Sequence, residues 1–554
     1  MNTTATSRRD FLKSTAGVSA VGALSGTGLV ATKTVGAQSI GDIDPLSTDS
    51  AIRAKAAAVQ KISAAQQQMR ETLALEPQRR NADERRYKGQ NFYASFHKSL
   101  PQDEYGEVKP SAFRQLRRAL RNGDPDEFER IDLDAVADRP LANPQGALSF
   151  QAAGLDSHAT RMDRAPAFGS ARTAAEMGEV YWQGLTRDVP FVDFAFDARI
   201  NAAVTDLNAF SETVGPTSGG FVTPDTLFRG ESIGDLDGPF ISQFLLKDIP
   251  YGPSTIEQRY AVPLAGQDFM LDADSWLAVQ RGAMPASGLQ FDPDKRYLYN
   301  NRALGEYVHT DVLFQAYFNA ALILLKEGAG ALDTRHPYLA IDNQGAFTSF
   351  GGPWLLQLLT FAANLALSGA WYQKWRVHRR LRPEAFGGRA HFLKTAQREY
   401  DIHSDILDSA ALAQTFSRNG SFFLPMAYPE GSPCHPAYPA GHATVAGACC
   451  TVLKAFFDED YVLRNTVQAD ATGHSLIPYA DAPLTLGGEV NKLASNISLG
   501  RDAAGVHYRS DGIHGLDVGE QQAISLLRDC VRTCNEPFEG FKLTKFDGTR
   551  ITIR

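Results

Sequence analysis

Cysteine is scarce in this chain, with five residues in 554. Cys449 and Cys450 are adjacent and Cys530 and Cys534 lie four apart, so no Cys-x-x-Cys spacing occurs. A zinc ribbon and a thioredoxin-like redox centre are therefore excluded. The odd count leaves at least one thiol free or bridging subunits, and the pairing stays open. Positive charge is not in excess either. The formal net charge is −8, which argues against nucleic acid as a partner, because that binding depends on cations neutralising phosphates. Any tight cluster of Lys and Arg is then a local construction. The several long apolar spans of an integral membrane protein are missing, so the mature chain reads as having no bilayer span. Strand-like alternation is scarce, and neither an internal repeat nor a low-complexity tract is present.

What the chain does have is helical periodicity. Apolar residues recur at three- and four-residue spacing over residues 51–75, 171–185, 193–210, 307–326, 354–377, 442–457 and 518–534. One clear alternating stretch is 541–553, where Asp547-Gly548 would turn a short C-terminal β-hairpin. The class expected is mostly α, with long loops. Residues 1–37 stand apart: Ser7-Arg-Arg-Asp-Phe-Leu-Lys13 is a twin-arginine pattern, a small-residue apolar stretch follows, and Val35-Gly-Ala37 offers a cleavage site. This implies export of an already folded chain to the periplasm or the cell exterior. Residues 38–330 read as an N-terminal helical region, with a charged surface arm over 78–145 and a long loop segment over 215–266. Residues 331–554 read as the catalytic helical bundle, because the charged motifs that follow all lie beyond position 370.

Three segments carry the chemistry. The first is Lys374-Trp-Arg-Val-His-Arg-Arg-Leu-Arg-Pro383. Pro383 pushes Arg382 out of the α region, so the helix carrying Lys374 ends first and Arg382 is free to fold back toward it. The second is Tyr438-Pro-Ala-Gly-His442, a loop entering a helix whose first amides favour an anion. Gly441 lets the main chain approach that anion, and His442 lies in the first turn. The third is Arg501-Asp-Ala-Ala-Gly-Val-His507-Tyr-Arg-Ser-Asp511, where Asp511 can fix one imidazole nitrogen of His507 and aim the other. Each has a bland alternative: a lysine answering a helix dipole, a helix-capping histidine, a surface His–Asp pair. Jointly they suit a tetrahedral oxyanion beside a nucleophilic or ligating imidazole, either phosphate turned over or vanadate retained.

These segments resemble the signature motifs of the type-2 phosphatidic acid phosphatase superfamily, and more closely the vanadium-dependent haloperoxidases of algal bromoperoxidase type. The Lys-x7-Arg-Pro spacing is similar to theirs, whereas the phosphatases have one residue fewer. The segment from Asn91 to Glu107 also resembles an N-terminal segment of the algal enzymes. The resemblance implies two helical bundles per chain and assembly into homodimers or larger homo-oligomers. It implies vanadate as cofactor, bound by His507 with Asp511 behind it, its oxygens neutralised by Lys374, Arg382 and Arg501 and met by the Gly441 amide. His442 would be the acid–base group and Lys374 would polarise bound peroxide. Hydrogen peroxide and a halide would give hypohalous acid, which halogenates a small organic acceptor. Ala440 departs from the pattern, since the family commonly has Ser there; losing that hydrogen bond costs about 1 kcal/mol. His435 is similar to the algal bromoperoxidases and Trp371 to fungal and brown-algal enzymes, so bromide and iodide are the expected halides and chloride stays open. A structural calcium near Asp342 is a further implied cofactor.

The same superfamily implies a rival, an exported acid phosphatase in which His507 attacks phosphorus and His442 protonates the leaving group. Chain length, the motif spacing, His435 and the N-terminal segment favour the peroxidase. A non-catalytic oxyanion-binding protein is a third reading, but nothing in it requires His442 beside a cation cage.

Overall fold

A computed structural model describes residues 44–286 and 288–554. The twin-arginine segment lies outside the described residues. Helices of ten residues or more are numbered α1 to α12. Residues up to Glu71 form a unit of their own, whose described part holds all but the last two residues of α1 (Ser50–Leu73).

The second unit, Thr72–Arg554, carries everything else. Its helices are α2 (Pro110–Asn122), α3 (Ala171–Thr186), α4 (Ala198–Leu207), α5 (Asn301–Thr310), α6 (Gln315–Glu327), α7 (Gly352–Trp371), α8 (Pro383–Lys394), α9 (Ala410–Asn419), α10 (Gly441–Phe456), α11 (Leu486–Ala503) and α12 (Arg509–Thr533). Three antiparallel strand pairs accompany them: β1 (Ile249–Tyr251) with β2 (Ser254–Ile256), β3 (Val467–Ala469) with β4 (Leu476–Pro478), and β5 (Phe541–Thr544) with β6 (Arg550–Ile553). The last pair is the hairpin expected at the C-terminus, in register Phe541 to Ile553.

The fold is mostly helical, as the periodicity implied, but several elements differ from it. The run expected over 307–326 is two helices, α5 and α6, bent by 100°. Thr310, Asp311 and Val312 are poor helix formers, Asp311 is extended (φ −61°, ψ 148°), and the Val312 amide donates to the Gln315 side chain. Residues 78–145 do not form a surface arm. Phe92, Phe96, Leu100, Phe113 and Leu116 join Trp375 in a buried cluster, and Lys98 is buried against Glu384 at 2.7 Å. A charged stretch was taken for a solvated one because its apolar residues lie at irregular spacing. The expected loop over 215–266 contains β1 and β2. Helix α11 was not anticipated: it is polar but buried, and several of its polar groups find partners within the protein, as in Lys492–Glu489 and Ser495–Asp235.

Helix α12 starts nine residues before the periodicity suggested. Its first half reads as a breaker because it holds Gly512, Gly515 and Gly519. The glycines serve contact with α10. A Cβ on Gly515 would lie 2.8 Å from Ala443 Cβ, and one on Gly519 would collide with the Thr444 carbonyl. Helices α10, α11 and α12 pack around one apolar cluster with α7. A second cluster joins α3 and α4 to α8 and the 423–428 segment. Both clusters draw residues from either side of position 330. The one described stretch long and apolar enough to cross a membrane is Gly352–His378, half of it buried against the rest of the fold.

Candidate active site

The first motif works by breaking a helix. Tyr372–His378 continues α7 as a π-helix, and Lys374 lies in it. Arg379 then turns left-handed (φ 45°, ψ 43°), with Nε bonded to Glu84 and Nη1 to the Trp375 carbonyl, both at 2.7 Å. The chain reverses, bridges Ser95 at Arg380, and reaches Arg382 in extended geometry immediately before α8. Pro383 imposes that geometry and supplies the first residue of the helix.

The three motifs meet at the 435–437 loop. Lys374 Nζ donates to the carbonyls of Pro436 (2.7 Å) and Ala437 (2.9 Å). Arg382 donates from Nε to the His435 carbonyl (2.9 Å), from Nη2 to His435 Nδ1 (2.9 Å), and from Nη1 to the Val506 carbonyl (2.7 Å) and His507 Nε2 (2.9 Å). His507 Nδ1 faces Asp511 Oδ2 at 2.8 Å. A guanidinium only donates, so Nε2 carries the lone pair and Nδ1 the proton. Asp511 is fixed in turn by Arg380 Nη1 (2.8 Å) and the Tyr508 amide (3.1 Å). Arg380 also holds Glu176 (3.0 Å) and lies 3.8 Å over the Tyr508 ring. Arg501 donates to the Val308 carbonyl (2.6 Å) and stands 5.6 Å over Tyr428. His442 faces Asp311 Oδ1 at 3.0 Å. Trp371 packs on His435 with ring centres 4.8 Å apart. Gly441 opens α10, and the Ala440 amide donates to the Asp511 carbonyl (2.8 Å), joining α10 to α12.

The electrostatics of this cluster are unusual. Lys374, Arg382 and Arg501 are all buried, and among the described residues none forms an ion pair with a carboxylate. Their acceptors are backbone carbonyls and imidazole nitrogens, and Arg501 Nε has no partner at all. An unpaired buried charge costs several kcal/mol. Burial and the neighbouring Arg382 and Arg501 accordingly hold the Lys374 ammonium well below its ordinary range. Burial lowers Arg382 to about 10. His507 is held well below the usual imidazole value by burial and by the fields of Arg382, Lys374 and Arg501, so it is neutral. His442 is lowered by burial and Arg501, against Asp311, which raises it. Burial also lowers His435. Burial raises the Asp511 carboxyl, against the pull of Arg380.

Sequence reasoning missed four contributors. Arg380 was inside the first motif but carried no spacing signal of its own. Asp311 and the Val308 carbonyl reach the site because of the bend between α5 and α6, and a polar residue interrupting that apolar period was the available sign. The fourth is Tyr428, with His309 stacked on its ring at 3.7 Å and 9°. Burial opposes charge on His309, but hydrogen bonds to Glu306 and Glu430 win and raise it to about 9. Asp342 is exposed in an irregular segment, and among the described residues no three His, Cys, Asp or Glu side chains gather as a metal cluster. All five cysteines are free thiols.

Ala440 has the extended geometry of a helix N-cap (φ −69°, ψ 128°) without a side chain to cap with. Restoring a hydroxyl there in Ala440→Ser should tighten oxyanion binding about fivefold, the worth of one hydrogen bond of about 1 kcal/mol. Vanadate titration measures it, and unchanged affinity would mean the hydroxyl satisfies only the helix. A Cβ on Gly441 would make ordinary contacts with Leu367 and Trp371, so packing does not demand that glycine.

Comparison with known proteins gives the following. Residues 355–535 match a model of the second helical-bundle domain of VCPO. The chain is 36% identical over 482 residues to a vanadium-dependent bromoperoxidase of Ascophyllum nodosum, covering 83% of this chain and 86% of that one. It is 35% identical over 549 residues to the vanadium-dependent bromoperoxidase of Corallina pilulifera, covering 84% and 91%. Among solved structures, the homohexameric second vanadate-dependent bromoperoxidase of Ascophyllum nodosum superimposes with a TM-score of 0.84 at 29% identity, over 95% of this chain and 94% of that one.

Proposed function

Since this chain belongs to the vanadium-dependent haloperoxidase family, we propose that it oxidises bromide and iodide with hydrogen peroxide in the cage of Lys374, Arg382, Arg501 and His507. The observation that carries the proposal is three buried cations without carboxylate partners gathered around the lone pair of His507 Nε2. That donor set fits vanadate: one neutral nitrogen to bind the metal, and positive charge to compensate the oxygens. Bound vanadate supplies a Lewis acid that activates peroxide toward halide without changing oxidation state.

The chain's own residues do the rest. Asp511 keeps the proton on His507 Nδ1 and so keeps Nε2 available. Arg380 favours the ionised form of Asp511 against its burial and holds it in place. Lys374, Arg382 and Arg501 favour negative charge where it accumulates, in a site that excludes most water. The Gly441 amide at the start of α10 adds its partial positive charge. His442 is neutral at neutral pH. With its Nε2–H donated to Asp311, its Nδ1 is free to take a proton from peroxide and return it to the leaving oxygen. The product is hypohalous acid, released to halogenate organic acceptors. Copies of the chain assemble, a reading supported by the homohexamer of the structural neighbour.

Vanadate-loaded protein should brominate a phenolic dye with peroxide and bromide, and should run at a multiple of 60.4 kDa. Hydrolysis of an aryl phosphate, blocked by vanadate and without bromination, would instead establish the phosphohistidine reaction. Trp371 and His435 are proposed to set halide choice, because their rings pack against each other and His435 bonds Arg382 of the cage. Trp371→Arg and His435→Phe should each change the bromide-to-chloride rate ratio, and an unchanged ratio in both removes that assignment.

A further inference from the structure

A second concentration of positive charge lies away from the cage. The helical turn Asp83–Arg86 and helix α2 face each other across a pocket of about 530 Å³, lined by Arg80, Glu84, Arg85, Lys88, Arg117 and Arg164 among others. Five of these are cations, in a chain whose formal charge is −8. Glu84 is the only carboxylate among the lining residues, and it is already engaged: it binds Arg117 at 2.8 Å and Arg379 at 2.7 Å. Arg379 in turn holds the left-handed turn between Lys374 and Arg382. Burial raises Glu84, but Arg379 and Arg117 win and lower it, so it stays ionised. Nearby Arg86 is likewise taken, by Asp401 at 2.7 Å.

The other four cations are different. Among the described residues the side chains of Arg80, Arg85, Lys88 and Arg164 form no ion pair and no hydrogen bond. Four like charges share one concavity, and the single carboxylate among its lining residues is Glu84, which feels the field of Arg80 but is hydrogen-bonded to Arg379 and paired with Arg117. A solvated face usually spreads such charges or alternates their sign. Arginine forks match the oxygens of phosphate or sulfate in pairs, and lysine adds a point charge. The pocket is larger than one tetrahedral anion needs.

We propose that this pocket is a binding site for a small polyvalent oxyanion, one carrying two or more closely spaced phosphate or sulfate groups. Arg80, Arg85, Lys88 and Arg164 bind its oxygens, while the Glu84–Arg117 pair forms one wall. The site is separate from the vanadate cage, since Arg85 and Lys88 touch no residue of it.

The test uses vanadate-loaded protein, so that the cage is occupied, titrated calorimetrically with inorganic pyrophosphate and separately with a sulfated disaccharide. The expected result is saturable binding of at least one probe, weakening with added salt and at least tenfold weaker in Arg85→Glu/Lys88→Glu. Vanadium content should be unchanged in that variant. Arg164→Ala, a milder change at an exposed side chain, should show a smaller loss in the same direction. Pyrophosphate binding alone identifies a phosphate ligand, and disaccharide binding alone a sulfated sugar. Binding of neither probe, or equal binding by wild type and the double variant, overturns the proposal.

Discussion

His507→Ala is expected to purify folded but without vanadium. The reason lies in the division of labour around the ring. Nε2 faces the cage at Arg382, and Nδ1 is committed to Asp511. Removing the imidazole takes away the atom proposed to bond the metal directly. Altering residues behind a metal ligand typically costs 10- to 100-fold in affinity, so losing the ligand itself should cost about 100-fold or more. The fold should survive, because Asp511 keeps its contacts with Arg380 and the Tyr508 amide, and α12 is held by its glycine contacts with α10. Elemental analysis after incubation with vanadate and gel filtration measures the stoichiometry. Vanadium retained at the wild-type ratio would mean that another atom binds it and that the cage has been read wrongly.

His442→Ala separates binding from turnover. This residue should not be needed to hold vanadate, since in the proposed site the cations and His507 would do that. Vanadium content should stay near wild type, while kcat falls by about 10²- to 10⁴-fold, the usual worth of a positioned acid–base group. Asp311→Asn probes the same imidazole more gently. The Asp311 carboxylate raises His442, whereas burial and Arg501 lower it. Neutralising the carboxylate removes the raising influence, so His442 loses its proton at lower pH. The acid limb of the kcat/KM profile, which reports protonation of the base, should therefore move to lower pH than in wild type. The plateau should also fall, because the ring loses the partner that fixes its orientation. Comparing wild type with Asp311→Asn, both loaded with vanadate, gives the sign directly. A limb that moves toward neutrality, or vanadium lost from His442→Ala, would exclude this role for the pair.

The mostly helical class and the C-terminal hairpin were legible because both rest on local periodicity. The motif residues were legible because their spacing around Pro383, Gly441 and Asp511 has local chemical meaning. What could not be read shares one physical cause: contact partners distant in sequence. Asp311 lies 131 residues from His442, and only the bend after Thr310 brings them together. Helix α11 hides because buried polar residues satisfied by far loops look the same in sequence as exposed ones. The first half of α12 hides because glycine marks flexibility locally and close packing globally. The segment from Phe92 to Leu100 reads as surface from its charges, but Lys98 is neutralised by Glu384, 286 residues away.

The glycine face of α12 bears on more than packing. Gly515 and Gly519 bring the main chain of α12 against that of α10, and the Ala440 amide bonds the Asp511 carbonyl across the same seam. One of these helices carries His442, and the other follows directly on His507. Their two rings are therefore spaced by backbone against backbone, a ruler without rotamers. Drift in the surrounding apolar side chains can alter stability while leaving the separation of His442 and His507 nearly untouched.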